Sequence, residues 1–276
     1  LQADNRNISE LTGLSHCTNL RNLDLSDNEI KNLDPLAKLY NLEHLTLFSN
    51  QISDLAPLSE MKKLRDLNLD NNNISDLVPL SGLQDLRSLR FTENQVSDLG
   101  PLAGLKKLED IDFDENKVSS LNPLSGLQNL RWLSFRGNMV SDISVISGLD
   151  NLFGVDLEMN EVQDISPLVE NGNLDEVHLR YNLLDLSKGS SDMEDINKLI
   201  NRGVRVSYKP QNEVVEIPDP ILENALRYRI KKPSGTLYSS DLERIRRLDI
   251  SEKGVSDLTG LEYCKELQEL YAGGNN

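Results

Sequence analysis

Apolar residues recur in this chain with a period of 22 residues. Each block approximates the pattern L-x-x-L-x-L-x-x-N-x-I/V-x-x-L/I-x-P-L-x-x-L-x-N. The first leucine of successive blocks is Leu20, Leu42, Leu64, Leu86, Leu108, Leu130, Leu152 and Leu174. A unit of this length is too short to bury a core alone, so the period predicts a solenoid of stacked repeats.

Within each block, L-x-x-L-x-L predicts a short β-strand, because apolar and polar residues alternate there. In the block that begins at Leu86, the strand directs Leu89 and Phe91 inward and Ser88, Arg90 and Thr92 outward. The prolines that follow, as in Asp34-Pro35-Leu36, fix φ and predict a short 3₁₀ or helical return segment.

Asparagine occupies the ninth place of every block. Its amide both donates and accepts hydrogen bonds, so it can satisfy backbone groups where the chain turns off the strand. We therefore predict a structural ladder formed by Asn28, Asn50, Asn72, Asn94, Asn116, Asn138, Asn160 and Asn182.

The repeat text resembles a known family. NQISDLAPLSEMKKL (residues 50–64) and NNISDLVPLSGLQDL (residues 72–86) are similar to internalin-type bacterial leucine-rich repeats. The resemblance implies a right-handed solenoid with a parallel β-sheet on its concave side, and a protein-binding role. Together with the patterns above and below, it predicts an α/β fold with a short 3₁₀ or helical convex side and helical caps.

The consensus breaks after Asn182, which places the repeat solenoid at residues 1–182. Residues 183–212 are predicted to form a C-terminal cap, with an amphipathic helix over 191–201 and a strand over 204–208. Ser190 or Ser191 can cap the start of this helix, and Gly203 can end it. Such a cap covers the last apolar layer of a solenoid. Residues 213–217 are predicted to be a linker.

A second module is predicted beyond the linker. Residues 218–247 resemble a helical N-terminal cap: a helix from Pro218 to Ile230 has an apolar face that includes Ile221, and Ser240-Asp241-Leu242-Glu243 forms a capping box. Residues 248–276 form a first repeat, because residues 248–270 align with residues 1–23. The sequence indicates tandem modules of a longer protein; a single degenerate solenoid with a helical insertion is the alternative.

Composition narrows the function classes. A net charge of −16 disfavours binding to nucleic acid or anionic lipid, and no apolar run approaches the length needed for membrane insertion. Cys17 and Cys264 occupy matching text, which predicts two buried small side chains and neither a disulfide nor a zinc site. We find no catalytic motif, so we predict no enzyme activity, no metal and no cofactor.

The outward strand positions form the concave face, where we expect a partner to bind. Trp132 is the strongest candidate, since binding hot spots favour tryptophan, tyrosine and arginine; alternatively, it lies flat over Gly154. The predicted partner-binding residues are Trp132, Phe48, His44, Arg90, Asp110, Asp112, Asp114, Arg136, Glu158, His178 and Tyr181.

Asp110, Asp112 and Asp114 form an acidic stripe, with side chains about 7 Å apart along one strand. The stripe suits a basic protein partner. Calcium and a solvated face are the alternatives, the latter partly neutralised by Arg90 beside Asp112 and by Arg136 between Asp114 and Glu158.

The sequence therefore predicts a non-enzymatic protein–protein interaction module, similar to the leucine-rich-repeat adhesion proteins of bacterial surfaces. A structural spacer or self-assembling tandem array is the alternative, with self-association through apolar solenoid ends such as Leu258 and Leu270. Carbohydrate binding is a remote alternative. The expected location is the cell surface or exterior of a prokaryote, with the cytoplasm as the alternative.

Overall fold

A computed structural model describes residues 1–275. The chain divides into two compact units, Leu1–Lys209 and a second that begins at Pro210. Each unit has its own hydrophobic core.

The first unit is a solenoid built on one parallel sheet. Its strands follow the chain in order and have three residues each. Neighbouring strands pair with an offset of one repeat, as Leu23 with Leu45 shows. The predicted solenoid fold is confirmed. Within residues 1–275 its nine strands are β1 (Asn22–Asp24), β2 (His44–Thr46), β3 (Asp66–Asn68), β4 (Ser88–Arg90), β5 (Asp110–Asp112), β6 (Trp132–Ser134), β7 (Gly154–Asp156), β8 (Glu176–His178) and β9 (Arg205–Ser207).

Inward residues of the strands form a continuous apolar column. The sixth place of the repeat is leucine in most blocks but phenylalanine in three consecutive ones. The rings of Phe91 and Phe113 stack with centroids 5.6 Å apart, and those of Phe113 and Phe135 are 5.9 Å apart. All three side chains are fully buried, so these aromatics belong to the core and not to a binding surface.

The asparagine ladder lies beneath the turns that leave the strands. Asn116 is representative: its Oδ1 accepts from the Val96 N–H at 2.9 Å, and its Nδ2 donates to the carbonyl oxygens of Phe91, Phe113 and Asp114 at 2.9–3.1 Å. The residue before each ladder asparagine has a positive φ, as in Glu115 at 51°. Each side chain thus connects its own turn to the preceding repeat.

The return segments on the opposite side are 3₁₀ turns, five of them opened by proline near their first position. The later repeats replace one turn with α1 (Ser166–Glu170). The 3₁₀ segments of the first unit are Thr12–Leu14, Asp34–Leu36, Ala56–Leu58, Val78–Leu80, Gly100–Leu102, Asn122–Leu124 and Ser144–Gly148.

The end of the first unit is covered by α2 (Ser191–Asn201). Ser190 Oγ accepts from the Met193 N–H at 3.2 Å and caps the helix, while Ile196 and Leu199 are fully buried. The chain then adds β9 to the edge of the same sheet.

The second unit contains α3 (Pro220–Ile230), α4 (Ser239–Glu243), a parallel pair of strands, β10 (Arg247–Asp249) and β11 (Glu269–Tyr271), and the 3₁₀ turn Leu261–Tyr263. Asp219 organises it: one carboxylate oxygen accepts from the Ile221 and Leu222 N–H groups at the start of α3, and the other from the Ser256 N–H at 2.8 Å. These backbone hydrogen bonds lower the pKa of Asp219.

Three local predictions in the second unit need correction. The helix begins at Pro220 and not at Pro218, because Asp219 is the residue that caps it. Ile221 is exposed instead of facing the core. At the start of α4 the Tyr238 N–H donates to Asp241 Oδ2 at 2.8 Å, so the capping residue is Tyr238, two residues before Ser240.

The cysteine prediction is half wrong. Both thiols are free in the structure, but Cys17 is exposed and only Cys264 is buried. Cys264 packs into the core of the second unit, and burial raises the pKa of its thiol to about 11. Cys17 lies in the outermost described turn of the first unit, where no described repeat covers it.

Candidate functional site

The exposed side of the nine-stranded sheet, here called the concave face, presents three rows of side chains. The first row holds the first residue of each strand, the second row holds the third residue, and the third row lies two residues further on. Strands are about 4.8 Å apart, so each row forms a nearly continuous line across the repeats.

Trp132 and Gly154 are neighbours in the first row, paired across β6 and β7. The indole lies over the glycine: a Cβ added to Gly154 would be 2.3 Å from Cε3 and Cζ3 of Trp132. The Phe153 ring lies 6.0 Å from the Trp132 ring at an angle of 51°. Trp132 is half-buried, so part of a well-supported indole remains open to solvent.

Phe153 was missed by the sequence analysis. It is 38% exposed and carries the Arg131 guanidinium 5.8 Å from its ring centroid. The second place of the preceding blocks is always arginine or glutamate, from Arg21 to Arg131. The departure from this pattern at Phe153 was therefore the sequence signal that could have identified it as a candidate surface residue.

The acidic stripe divides into two parts. Asp112 and Asp114 are held by several hydrogen bonds: Asp112 Oδ1 accepts from Thr92 Oγ1, and Asp114 Oδ1 accepts from Ser134 Oγ, both at 2.7 Å. No hydrogen bond or ion pair of the Asp110 carboxylate is found within residues 1–275, and Asp110 is exposed. Only Asp110 is thus unengaged.

Many carboxylates of the concave face stabilise the fold by accepting hydrogen bonds from backbone N–H groups. The N–H of each third-row residue lies where the strand has ended, and it often binds a nearby Asx side chain instead of a backbone carbonyl. The Asp114 N–H donates to Asp112 Oδ1 within the same repeat. The N–H of the next third-row residue, Arg136, donates instead to Asp114 Oδ1 of the preceding repeat, at 2.8 Å. Asp70 binds the Thr92 N–H in the same way at 2.8 Å. The fold therefore requires part of the acidity of this face.

Arg90 lies beside Asp112, as the sequence indicated, and bridges two carboxylates. Its Nη2 is 3.1 Å from Asp112 Oδ2, and its Nε is 3.1 Å from Asp70 Oδ2. Both carboxylates are largely buried, and together they raise the pKa of Arg90 against the opposing effect of desolvation.

Arg136 lies between Asp114 and Glu158 across the repeats, as predicted: its N–H donates to Asp114 Oδ1, and the Gly137 N–H donates to the Glu158 carbonyl oxygen. No ion pair of its guanidinium group with either carboxylate is found among the described residues. Arg136 Nη2 points to Met159 Sδ at 3.4 Å, and its Nε is buried without a hydrogen-bond partner among the described residues. The cation that binds Glu158 is Arg180, whose Nε and Nη2 lie 2.5 and 3.3 Å from the two carboxylate oxygens.

The remaining predicted residues are spread over the face. His178 lies 3.1 Å from Glu176 and 3.9 Å from Glu158, at the far end of the sheet near Tyr181. The His44 ring is in close contact with the Asp66 carboxylate through Nδ1. Phe48, with 37% of its surface exposed, lies near His44 in β2, four strands from Trp132. The structure thus does not bring the aromatic candidates into one patch.

Burial affects the charge of the central face near neutral pH. Desolvation raises the pKa of Asp114 to about 7, against the hydrogen bonds from Ser134 and Arg136 that favour its charged form. Asp156 on the next strand but one also has a raised pKa, first because of desolvation.

This raised pKa gives a pH prediction. Folded Asp114 holds its proton more tightly than the unfolded chain does, so its contribution to stability is present below about pH 4 and is lost as the pH rises towards 7. In Asp114→Asn, the amide oxygen can still accept both hydrogen bonds. In urea denaturation, the unfolding free energy of the wild type should decline between about pH 5 and pH 8. We expect this decline to be about 2 kcal/mol smaller in the variant, because about 1.4 kcal/mol corresponds to each pKa unit crossed. Parallel profiles would contradict the prediction.

The acidic stripe finds no support as a metal site. Within the part of the chain that the structure describes, no cluster of three or more His, Cys, Asp or Glu side chains could hold a metal ion.

Comparison with known proteins identifies the repeats. A model described as Leucine Rich Repeat matches residues 19–39, and one described as Leucine Rich repeats (2 copies) matches residues 40–84. No curated protein sequence matches significantly.

Two solved structures are similar to the chain. An internalin (InlF) from Listeria monocytogenes is 25% identical with a TM-score of 0.69, and the match covers 100% of this chain and 73% of that one. Internalin C2 from the same species is 33% identical with a TM-score of 0.61, covering 67% of this chain and 79% of the other. The chain belongs to the internalin family.

Membership of the internalin family assigns a general class of function. The leucine-rich-repeat fold of an internalin is a scaffold for protein–protein interaction. Among residues 1–275, no helix is long and apolar enough to cross a membrane. The particular partner depends on the side chains of the concave face, since the fold alone does not specify it.

Proposed function

We propose that this internalin binds a basic protein partner through its concave face, with Trp132 as the central contact. The observation that carries the proposal is the position of the indole on Gly154, next to the unengaged carboxylate of Asp110. A hot-spot tryptophan requires a supported ring with an accessible surface, and this side chain has both.

Electrostatics supports a basic partner. The net charge of −16 attracts cations from a distance, and Asp66, Asp110 and Glu176 lie along the same row as Trp132. Such complementarity raises association rates and excludes acidic competitors more than it adds affinity. We therefore expect the association rate to fall as the salt concentration rises.

The main test is the substitution Trp132→Ala. Proteins retained by the wild-type chain are identified by mass spectrometry, and the affinity of a purified candidate is then measured by calorimetry. Because a central tryptophan is worth about 2 kcal/mol or more, we expect an affinity loss of about 30-fold. Tyr228→Ala is the matched control, since Tyr228 is 88% exposed but belongs to the second unit. An unchanged affinity for the Trp132 variant, with intact circular dichroism, would overturn the proposal.

The proposed role is non-enzymatic and lies outside the cell. Rigid presentation suffices as a mechanism, because a solenoid orders its binding surface before the partner arrives and lowers the entropic cost of association. We place the protein at the surface or exterior of a prokaryote, in keeping with its similarity to the Listeria internalins.

Self-association is a second candidate function, favoured by one observation. In the second unit the side chains of Leu258, Leu270 and Tyr271 are between 40% and 47% exposed, and exposed apolar side chains can belong to an interaction surface. Sedimentation of the purified chain over a range of concentrations distinguishes the candidates: a monomer throughout would rule out self-association.

A further inference from the structure

We infer that Trp132 and Asp110 form a subsite for an arginine side chain of the partner. This inference rests on the proposed function, and it specifies the chemistry that the centre of the concave face would recognise. The two residues are paired across β5 and β6, so their Cα atoms are about 5 Å apart and both side chains leave the same side of the sheet.

The aromatic half of the subsite is pre-organised. The six-membered ring of the indole fills the space above Gly154, and Phe153 contacts it from the strand-start side. Little rotational freedom is then lost when a ligand group stacks on the open part of the ring. Every other first-row residue that faces solvent is polar or charged, so Trp132 presents the one apolar aromatic ring in this row of the described chain.

The acidic half of the subsite lacks a counter-ion. Asp110 has a raised pKa, first because neighbouring atoms displace water from its carboxylate and then because Glu109 repels its charge. Asp66 adds to the repulsion from the other side of Ser88, and Arg131 opposes it only in part. A bound cation would relieve this repulsion.

Arginine satisfies both halves at once. Its planar guanidinium can stack on the indole while its N–H groups point at the carboxylate, whereas the compact ammonium of lysine has no planar face. The chain already uses this geometry elsewhere: Arg247 lies 5.0 Å from the Tyr271 ring centroid and 3.5 Å from Glu269. A neutral aromatic ligand would leave Asp110 uncompensated.

The single tryptophan makes the subsite directly measurable. Trp132 is the only tryptophan in the chain, so its fluorescence reports on this position alone. We propose titration with N-acetyl-argininamide, and with N-acetyl-lysinamide and N-acetyl-citrullinamide as comparators. We expect a saturable change in emission with the arginine derivative in the millimolar range, a weaker one with lysine and none with citrulline, which has the same shape without charge.

Two variants locate the effect. Asp110→Asn should weaken the apparent affinity for the arginine derivative about fivefold, as expected for loss of one partly exposed charge pair. The control Glu170→Gln removes the same charge from the convex side and should leave the affinity unchanged. Gly154→Ala leaves Asp110 in place, but the added Cβ displaces the indole of Trp132. The fluorescence response to the arginine derivative should therefore be lost, and the emission of the free protein should shift.

The outcomes separate the subsite from the proposed function. Equal responses of wild type and Asp110→Asn, or of arginine and citrulline derivatives, would overturn the arginine subsite. If Trp132→Ala still abolished partner binding, the proposed function would survive that result. Conversely, partner binding that is unaffected by Trp132→Ala overturns the proposed function, even where the arginine derivative binds to Trp132.

Discussion

Truncation of the central core aromatic, Phe113→Ala, should lower the free energy of unfolding by about 3–5 kcal/mol. Phe113 is fully buried and is the middle ring of a stack, with Phe91 and Phe135 at 5.6 and 5.9 Å. The substitution therefore leaves a cavity and removes two ring contacts, each worth about 1 kcal/mol. Guanidinium denaturation followed by circular dichroism measures the change.

Phe153→Ala is the matched control for this core substitution. It removes the same atoms from a side chain that is 38% exposed and packs against only part of Trp132. We expect a loss of about 1 kcal/mol or less, because solvent already reaches the ring. Comparable losses in the two variants would contradict the assignment of Phe113 to the core and Phe153 to the surface.

The second large effect is expected from the asparagine ladder, in Asn116→Ala. This substitution leaves the Val96 N–H without its side-chain acceptor. The carbonyl oxygens of Phe91 and Phe113 each lose one of two side-chain hydrogen bonds, because Asn94 and Asn138 also donate to them. The unsatisfied Val96 N–H costs about 1–3 kcal/mol, and each lost hydrogen bond to a carbonyl oxygen costs about 1 kcal/mol, so we expect a total loss of about 3 kcal/mol or more.

Hydrogen exchange tests the ladder at the level of single amides. In Asn116→Ala the Val96 N–H should exchange much faster, while the Val118 N–H, which Asn138 Oδ1 accepts at 2.9 Å, should remain protected. Asn129→Ala is the matched control, because its amide donates to the Lys106 carbonyl at an exposed position. Equal protection of Val96 in wild type and variant would show that the side chain is not its essential partner.

The period of the sequence was sufficient to predict the strands, the inward leucines and the ladder. These features depend on interactions that every repeat forms with its neighbours, so one pattern describes them all. The outward direction of Trp132 and the space above Gly154 follow from the same register. Helix α2 was also predictable, because its capping serine and apolar face are local in sequence.

Where prediction failed, the deciding interactions were distant or lay at an end. Asp219 sets the start of α3 through a simultaneous contact with Ser256, 37 residues away. Cys17 has the same local text as Cys264, but only the latter is covered by a core. The pairing of Glu158 with Arg180 instead of Arg136 depends on side-chain conformations that the register alone does not determine.

The carboxylates of the concave face show the same limit. Asp110, Asp112 and Asp114 look equivalent in the sequence, yet two of them accept backbone N–H groups at the ends of the strands and one does not. That difference arises because the strands are only three residues long, which leaves the third-row N–H outside the ladder. Strand length was not resolved by the apolar pattern.

The division of the face into rows has a consequence for how such a protein can evolve. Side chains of the second and third rows, such as Asp70, Asp112 and Asp114, are tied to backbone groups, so many replacements there weaken the fold. Within residues 1–275, no first-row side chain is found to form such a hydrogen bond to a backbone group. Mutations can therefore accumulate in the first row and change which ligand is recognised, while the fold is retained. For the same reason, protein design for altered specificity should vary the first row before the others.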